Sequence, residues 1–137
     1  MPFVIDVDKI NKTAGAYTGP FGTQCVALVQ LGPAAAGSVN PPGTSLWRKG
    51  IRVLTAALSE IKKGTVIATF TGAGTYPSAS EGARHAAVYL SHDTNGIKVM
   101  DQWATKKTPS ERTLTSVGID KPRAVDKGDH YYVVELS

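Results

Sequence analysis

The sequence predicts a single α+β domain spanning residues 1–137, and three observations predict it. Apolar residues recur with helical spacing from about residue 23 to 31, two β-rich runs flank an Asn95-Gly96 turn signal, and an aromatic and β-branched run closes the chain at Tyr131 to Leu136. A chain of 137 residues with 42% hydrophobic content can bury one core and is too apolar for disorder to describe it.

Taken in order, the stretch to Pro20 reads as loop with one short turn. The helix over 23–31 takes Thr23 or Gln24 as its cap, with Gly22 allowing close approach of the chain. Val26, Leu28, Val29 and Leu31 anchor its turns in the core, Cys25 looks out from its start, and Gly32-Pro33 ends it. Residues 37–44, with Pro41-Pro42-Gly43, form a surface loop, and Trp47 follows as a core anchor near the site. Strands are expected at 65–70, 85–91, 96–103 and 131–136. Between the first two, Thr71 to Gly82 is rich in small residues but lacks a Walker lysine and leads into no helical pattern, so it reads as a loop. Residues 106–127 are polar and irregular.

Chemistry concentrates at three positions. Cys25 is the chain's one cysteine, and at a helix N-terminus beside an imidazolium a thiol pKa of about 8.5 falls to roughly 3.5–7.5. Such a thiol is a nucleophile; elsewhere a lone cysteine is a small buried hydrophobe. A nucleophile of this kind needs a base, and the base needs a third group to hold its tautomer. His85, Ala87 and Tyr89 share one strand face, as do Ile97, Val99, Asp101 and Trp103 on the partner. With an odd number of residues in the connecting loop the two faces coincide, and His85 lies across from or diagonal to Asp101 or Trp103. Gln102 competes with Asp101, and strand parity favours Asp101 provided that Val99 and Trp103 face the core. The backbone N–H of Cys25 is the first oxyanion donor, with the Gln24 side chain or Tyr17 as second.

The order and spacing of these segments resemble the papain-like amidases of the CHAP and NlpC type, in particular small bacterial cell-wall amidase effectors. The resemblance rests on Gly22-Thr23-Gln24-Cys25-Val26-Ala27 as a nucleophile helix, Ile61 to Phe70 as the strand after a Gly turn, His85-Ala86-Ala87-Val88-Tyr89 as the histidine strand, and Val99-Met100-Asp101-Gln102-Trp103 as the next. It implies a papain-like fold with the Cys helix packed on an antiparallel sheet, a Cys25, His85 and Asp101 triad, and a substrate-binding set of Gln24, Tyr17 and Trp47. It further implies hydrolysis of an amide in peptidoglycan peptides, delivery as a type VI effector or a phage lysin, and an immunity protein that plugs the cleft. In that reading the 71–82 loop walls the cleft beside His85. Two other readings stay open: a binding module in which Cys25 is merely buried, and a papain-fold enzyme, deubiquitinase-like or transglutaminase-like, with another acyl acceptor.

The net charge of +4 and pI near 9.3 do not make a nucleic-acid protein, because the basic residues are scattered and mostly lack stacking aromatics. A positive surface is instead drawn to anionic wall polymers. No apolar run approaches the roughly 20 residues of a membrane span, and Met1 to Asp6 lacks the regions of a signal peptide. Synthesis in the cytoplasm followed by export is the expectation. His92 and His130 have no metal-ligand spacing with Asp93 or Asp129, so no metal and no cofactor is assigned.

Overall fold

The computed structural model describes residues 2–20, 22–77, 84–115 and 128–136. Besides short 3₁₀ turns, these form one α-helix, α1 (Cys25–Leu31), and six strands: β1 (Trp47–Arg52), β2 (Val66–Thr69), β3 (Ala86–Asp93), β4 (Gly96–Asp101), β5 (Ser110–Thr115) and β6 (Tyr131–Leu136). The strands make one sheet in the order β1-β6-β2-β3-β4-β5, antiparallel at every pairing. The expected α+β class is therefore observed.

A helix of seven residues is too short to hold itself in water, so packing must fix it. It lies on β3, where Leu28, Val29 and Ala27 join Val66, Ala68, Ala86, Val88, Met100 and Val134 in one core. The alanines at 68 and 86 lie in the strands beneath it, and their small side chains let the helix come close to the sheet. Leu31, expected in the core, is instead exposed, and Ala27 is buried in its stead. The opposite sheet face buries Ile67, Ala87, Tyr89, Ile97, Val99, Leu114, Tyr131 and Val133, joined by Val53 and Ile61. With both faces covered, β2 is buried at all four positions, which is why its sequence reads as a continuous run without alternation.

Two strands were not legible. β1 (Trp-Arg-Lys-Gly-Ile-Arg) and β5 (Ser-Glu-Arg-Thr-Leu-Thr) are the edges of the sheet, and edge strands carry charge and short polar side chains that mask a period-two pattern. β5 corrects the expectation of an irregular 106–127 segment, whose part from 116 to 127 lies outside the described residues. The expected 96–103 strand also ends early, at Asp101.

The β3–β4 hairpin corrects the assumed loop. Its turn is Thr94-Asn95, an even number of residues, with the Asp93 carboxylate accepting from the N–H groups of Asn95 (2.7 Å) and Gly96 (3.2 Å). On that turn alone odd positions of β3 would oppose even positions of β4, as in Asp93 opposite Gly96. The register then shifts between Tyr89 and Ser91, leaving Tyr89 opposite Val99 and Val88 opposite Met100. Leu90 is the extra residue of a β-bulge. The bulge restores the parity that an odd loop would have supplied.

The N-terminal segment crosses the start of β2, with bridges Val4 to Thr65 and Ile5 to Ala34. The Ile5 N–H donates to Gly64 O (2.8 Å), and Gly64 has φ +100° with its missing Cβ 2.2 Å from Ile5 O. No side chain fits there. Gly64→Ala should cost roughly 2–4 kcal/mol, the sum of left-handed strain and a backbone displacement, read as a lower urea midpoint with an unchanged m-value.

Candidate functional site

The site is assembled where the start of α1 meets the ends of β3 and β4. Gly19 and Gly22 exchange both backbone hydrogen bonds at 3.0 Å, and Gly22 sits at φ +90° with open space around its missing Cβ. Its use is thus the backbone angle, not the close approach expected from sequence. Gln24 occupies the N-cap in an extended conformation without a side-chain cap bond; its carbonyl accepts the Ala27 N–H (3.0 Å). That carbonyl is also gripped from the sheet side, because Gln102 Nε2 donates to Gln24 O (3.1 Å) and to Tyr17 O (3.0 Å). Gln102 is fully buried. Cys25, expected to look outward, is only 8% exposed, pressed between helix and sheet.

His85 immediately precedes β3 and is held by its backbone. Its N–H donates to Thr69 Oγ1 (3.0 Å), and its carbonyl accepts the Thr69 N–H (3.0 Å). Continuing the register from Val88 opposite Met100 puts Asp101 opposite Ala87, one diagonal step from His85. Across that diagonal His85 Nε2–H donates to Asp101 Oδ2 at 2.7 Å, which leaves Nδ1 as the ring nitrogen that can trade a proton with sulfur. Asp101 has no exposed surface and accepts two further charged donors, Arg112 Nε on Oδ2 (2.7 Å) and Lys106 Nζ on Oδ1 (3.0 Å). Both cations lie over the Trp103 ring, Lys106 at 4.4 Å and Arg112 at 5.1 Å from its centroid. The same ring meets His85 edge-on at 6.3 Å. Of the two residues whose burial was the condition for the parity argument, Val99 is fully buried and Trp103 is 37% exposed.

These contacts decide which protonation states persist. Burial opposes ionisation of Cys25, yet hydrogen bonding and charge from His85, the Ala86 N–H and the Tyr76 hydroxyl outweigh it, and the thiol pKa falls below its ordinary value. Burial likewise opposes the imidazolium, and the hydrogen bond from Asp101 with the hydrogen bond and charge of Cys25 outweigh it, raising His85 to about 9. Against its own burial, Asp101 is brought down to about 2 by His85 and Arg112. At neutral pH the site holds an imidazolium and a carboxylate in series, beside a thiol whose ionised form the imidazolium favours.

The remaining expected residues are placed as follows. Gln24 is exposed beside Cys25. Tyr17 is buried, with its hydroxyl accepting the Asn11 N–H (2.8 Å). Trp47 has no exposed surface, which corrects its place in the substrate-binding set: it supports the site from beneath, its indole N–H on Pro42 O (2.8 Å) and its ring 5.0 Å from that of Tyr76. Tyr76, Lys106 and Arg112 were missed. Tyr76 lies in the small-residue loop, where it is the single aromatic, and nothing in its spacing links it to Cys25. His92 is spoken for elsewhere, its Nε2–H donating to Ala56 O (2.9 Å) and its Nδ1 accepting from the Tyr89 hydroxyl (2.6 Å). The 78–82 part of the expected cleft wall lies outside the described residues. Among the described residues no three His, Cys, Asp or Glu side chains group as a metal site.

A family model described as domesticated amidase effector 2 matches residues 3–134 of the chain. The type VI secretion amidase effector 2 protein of Salmonella typhi is 42% identical over 80 residues, 58% of this chain and 53% of its own, so the match spans about half of that relative's length. The domesticated amidase effector 2 of Ixodes scapularis is 36% identical over 114 residues, 82% of this chain and 71% of its own. A solved structure of type 6 secretion amidase effector 2 superposes with a TM-score of 0.77 over 100% of this chain and 96% of that one, at 32% identity.

Two measurements check the electrostatics and the clamp. Since Cys25 supports the imidazolium both by hydrogen bond and by charge, Cys25→Ala should move the His85 titration down from about 9, followed by ¹⁵N chemical shifts; an unmoved titration would show that sulfur and imidazole do not interact. Gln102→Ala should cost roughly 2–4 kcal/mol because two backbone carbonyls lose a donor and a cavity opens, measured by chemical denaturation.

Proposed function

The chain belongs to the domesticated amidase effector 2 family, and from that membership we propose that it is a papain-like cysteine amidase that hydrolyses an amide bond in peptidoglycan peptides. The observation that carries this reading is His85, which binds buried Asp101 through Nε2 at 2.7 Å and supports a thiolate on Cys25. A merely buried thiol would be pushed the other way, toward protonation.

The chemistry runs through this chain's own groups. The Cys25 thiolate attacks the amide carbonyl carbon and a C–S bond forms while the carbonyl electron pair moves to oxygen. The tetrahedral adduct collapses as Nδ1–H of the His85 imidazolium delivers its proton to the departing nitrogen, so that the C–N bond breaks and the amine leaves. Neutral His85 then takes a proton from water as that water attacks the thioester; the carboxylic acid departs, and thiolate and imidazolium are restored. Asp101 fixes the ring orientation and offsets the imidazolium charge. Lys106 and Arg112 hold Asp101 in turn, keeping it ionised. With its substrate outside the cytoplasm, the enzyme acts as an antibacterial effector exported by a type VI route, and a cognate immunity protein covers the cleft in the producing cell.

The test is hydrolysis of purified peptidoglycan, with released fragments identified by mass spectrometry to locate the cut bond. Cys25→Ala should abolish release with the fold retained, His85→Ala should cost several orders of magnitude, and Asp101→Asn should cost up to about 10⁴-fold but less than Cys25→Ala. Turnover by the Cys25→Ala protein would sink the mechanism.

A further inference from the structure

Resting on the thiol amidase reading, we propose that Tyr76 is the second oxyanion donor, acting with the backbone N–H of Cys25 on the carbonyl oxygen of the tetrahedral adduct. Cys25 opens α1, so its N–H has no acceptor within the helix. A single backbone donor is a weak trap for a full negative charge, and sites of this kind converge at least two donors on the place where charge develops.

Among the described residues neither of the two side chains that the sequence offers hydrogen-bonds to the Cys25 sulfur, whereas Tyr76 does. The Tyr17 hydroxyl is tied to the Asn11 N–H at 2.8 Å, six residues along its own loop. The Gln24 side chain is exposed and makes no cap hydrogen bond, so it is not held in place ahead of substrate. The Tyr76 hydroxyl, by contrast, lies 3.8 Å from Cys25 Sγ. That separation is long for a bond to sulfur. It leaves room for an oxygen about 2.7–3.1 Å from the hydroxyl once a carbonyl carbon has joined the sulfur, and such bonds are often long before substrate arrives.

The donor is held in place before substrate arrives. Thr71 and Thr75 close the loop ahead of it through Thr71 N–H to Thr75 O (2.9 Å) and a hydroxyl pair at 3.0 Å. Lys49 N–H to Gly74 O (3.1 Å) ties that loop to β1. Trp47 packs against the Tyr76 ring at 5.0 Å and 66°. The hydroxyl also keeps its proton, because burial and the Cys25 charge hold it well above the usual phenol range. It therefore donates without ionising.

Tyr76→Phe keeps the ring and its edge contact and removes one oxygen. On purified peptidoglycan its kcat should fall roughly 10²–10³-fold, the loss that removing one such donor produces, with KM within threefold of the parent. The rate of Cys25 alkylation by iodoacetamide between pH 6 and 8 should fall far less than kcat, because the Tyr76 hydroxyl is the smallest of the contacts that lower the thiol pKa and His85 remains in place. A kcat within threefold of the parent, with Cys25→Ala inactive, would overturn the role of Tyr76 alone. An alkylation rate that drops in step with kcat would overturn it too, making Tyr76 a support of the resting thiolate. Activity in Cys25→Ala would instead overturn the thiol amidase reading beneath it.

Discussion

A carboxylate with no exposed surface is the constraint around which this protein is arranged. Taking Asp101 out of water is costly unless charged donors meet it on several sides, and three do: His85, Arg112 and Lys106. Each comes from a different part of the chain. The need for them explains why β5, otherwise a polar edge strand, runs beside β4 with Arg112 turned toward the carboxylate. It also explains the turn after β4, where the Lys106 and Lys107 N–H groups fold back on the Trp103 carbonyl at 3.0 and 2.9 Å. Trp103 accommodates two like charges that converge on one anion, its ring face offering negative potential to both.

The bulge at Leu90 belongs to the same design. A two-residue turn is the tightest way to join β3 and β4, but it sets the wrong parity for a His85–Asp101 diagonal. One extra residue midway corrects the faces at the far end while leaving Ile97 and His92 paired near the turn. His92 then accepts the Tyr89 hydroxyl on the same side at 2.6 Å, so the bulge separates the histidine paired with Tyr89 from the one paired with Asp101. Sheet geometry alone distinguishes the two.

On the other flank of Cys25 the support is aromatic. Trp47, fully buried at the start of β1, braces Tyr76 against the sulfur, and Gln102 fixes the carbonyl that precedes Cys25. Cys25 is thereby set by backbone and side chains from three directions, with His85 on one side and Tyr76 on another. The hydrogen bonds and charge gathered there offset the cost of burial and bring the thiol pKa below its ordinary value.

By itself the sequence offered Cys25, His85 and Asp101 as candidates by residue type, and it determined the local features that rest on spacing: the helix near Cys25, the β3–β4 hairpin with its Asn-Gly signal, and the final strand. Those follow from periodicities and turn chemistry that act over a few residues. What the tertiary structure decided depends on which strands become neighbours. The edge strands β1 and β5 were illegible because charge covers their alternation, and Leu31 and Trp103 came out exposed because burial depends on what packs against a residue. The bulge at Leu90 is invisible because an extra residue leaves no mark in composition. Lys106, Arg112, Gln102 and Tyr76 have partners that are distant in sequence or set by strand register, and a single chain records no pairing between such positions. Side-chain contacts across a sheet are fixed by register and by what remains unsatisfied once the core closes, and neither quantity exists until the chain has folded.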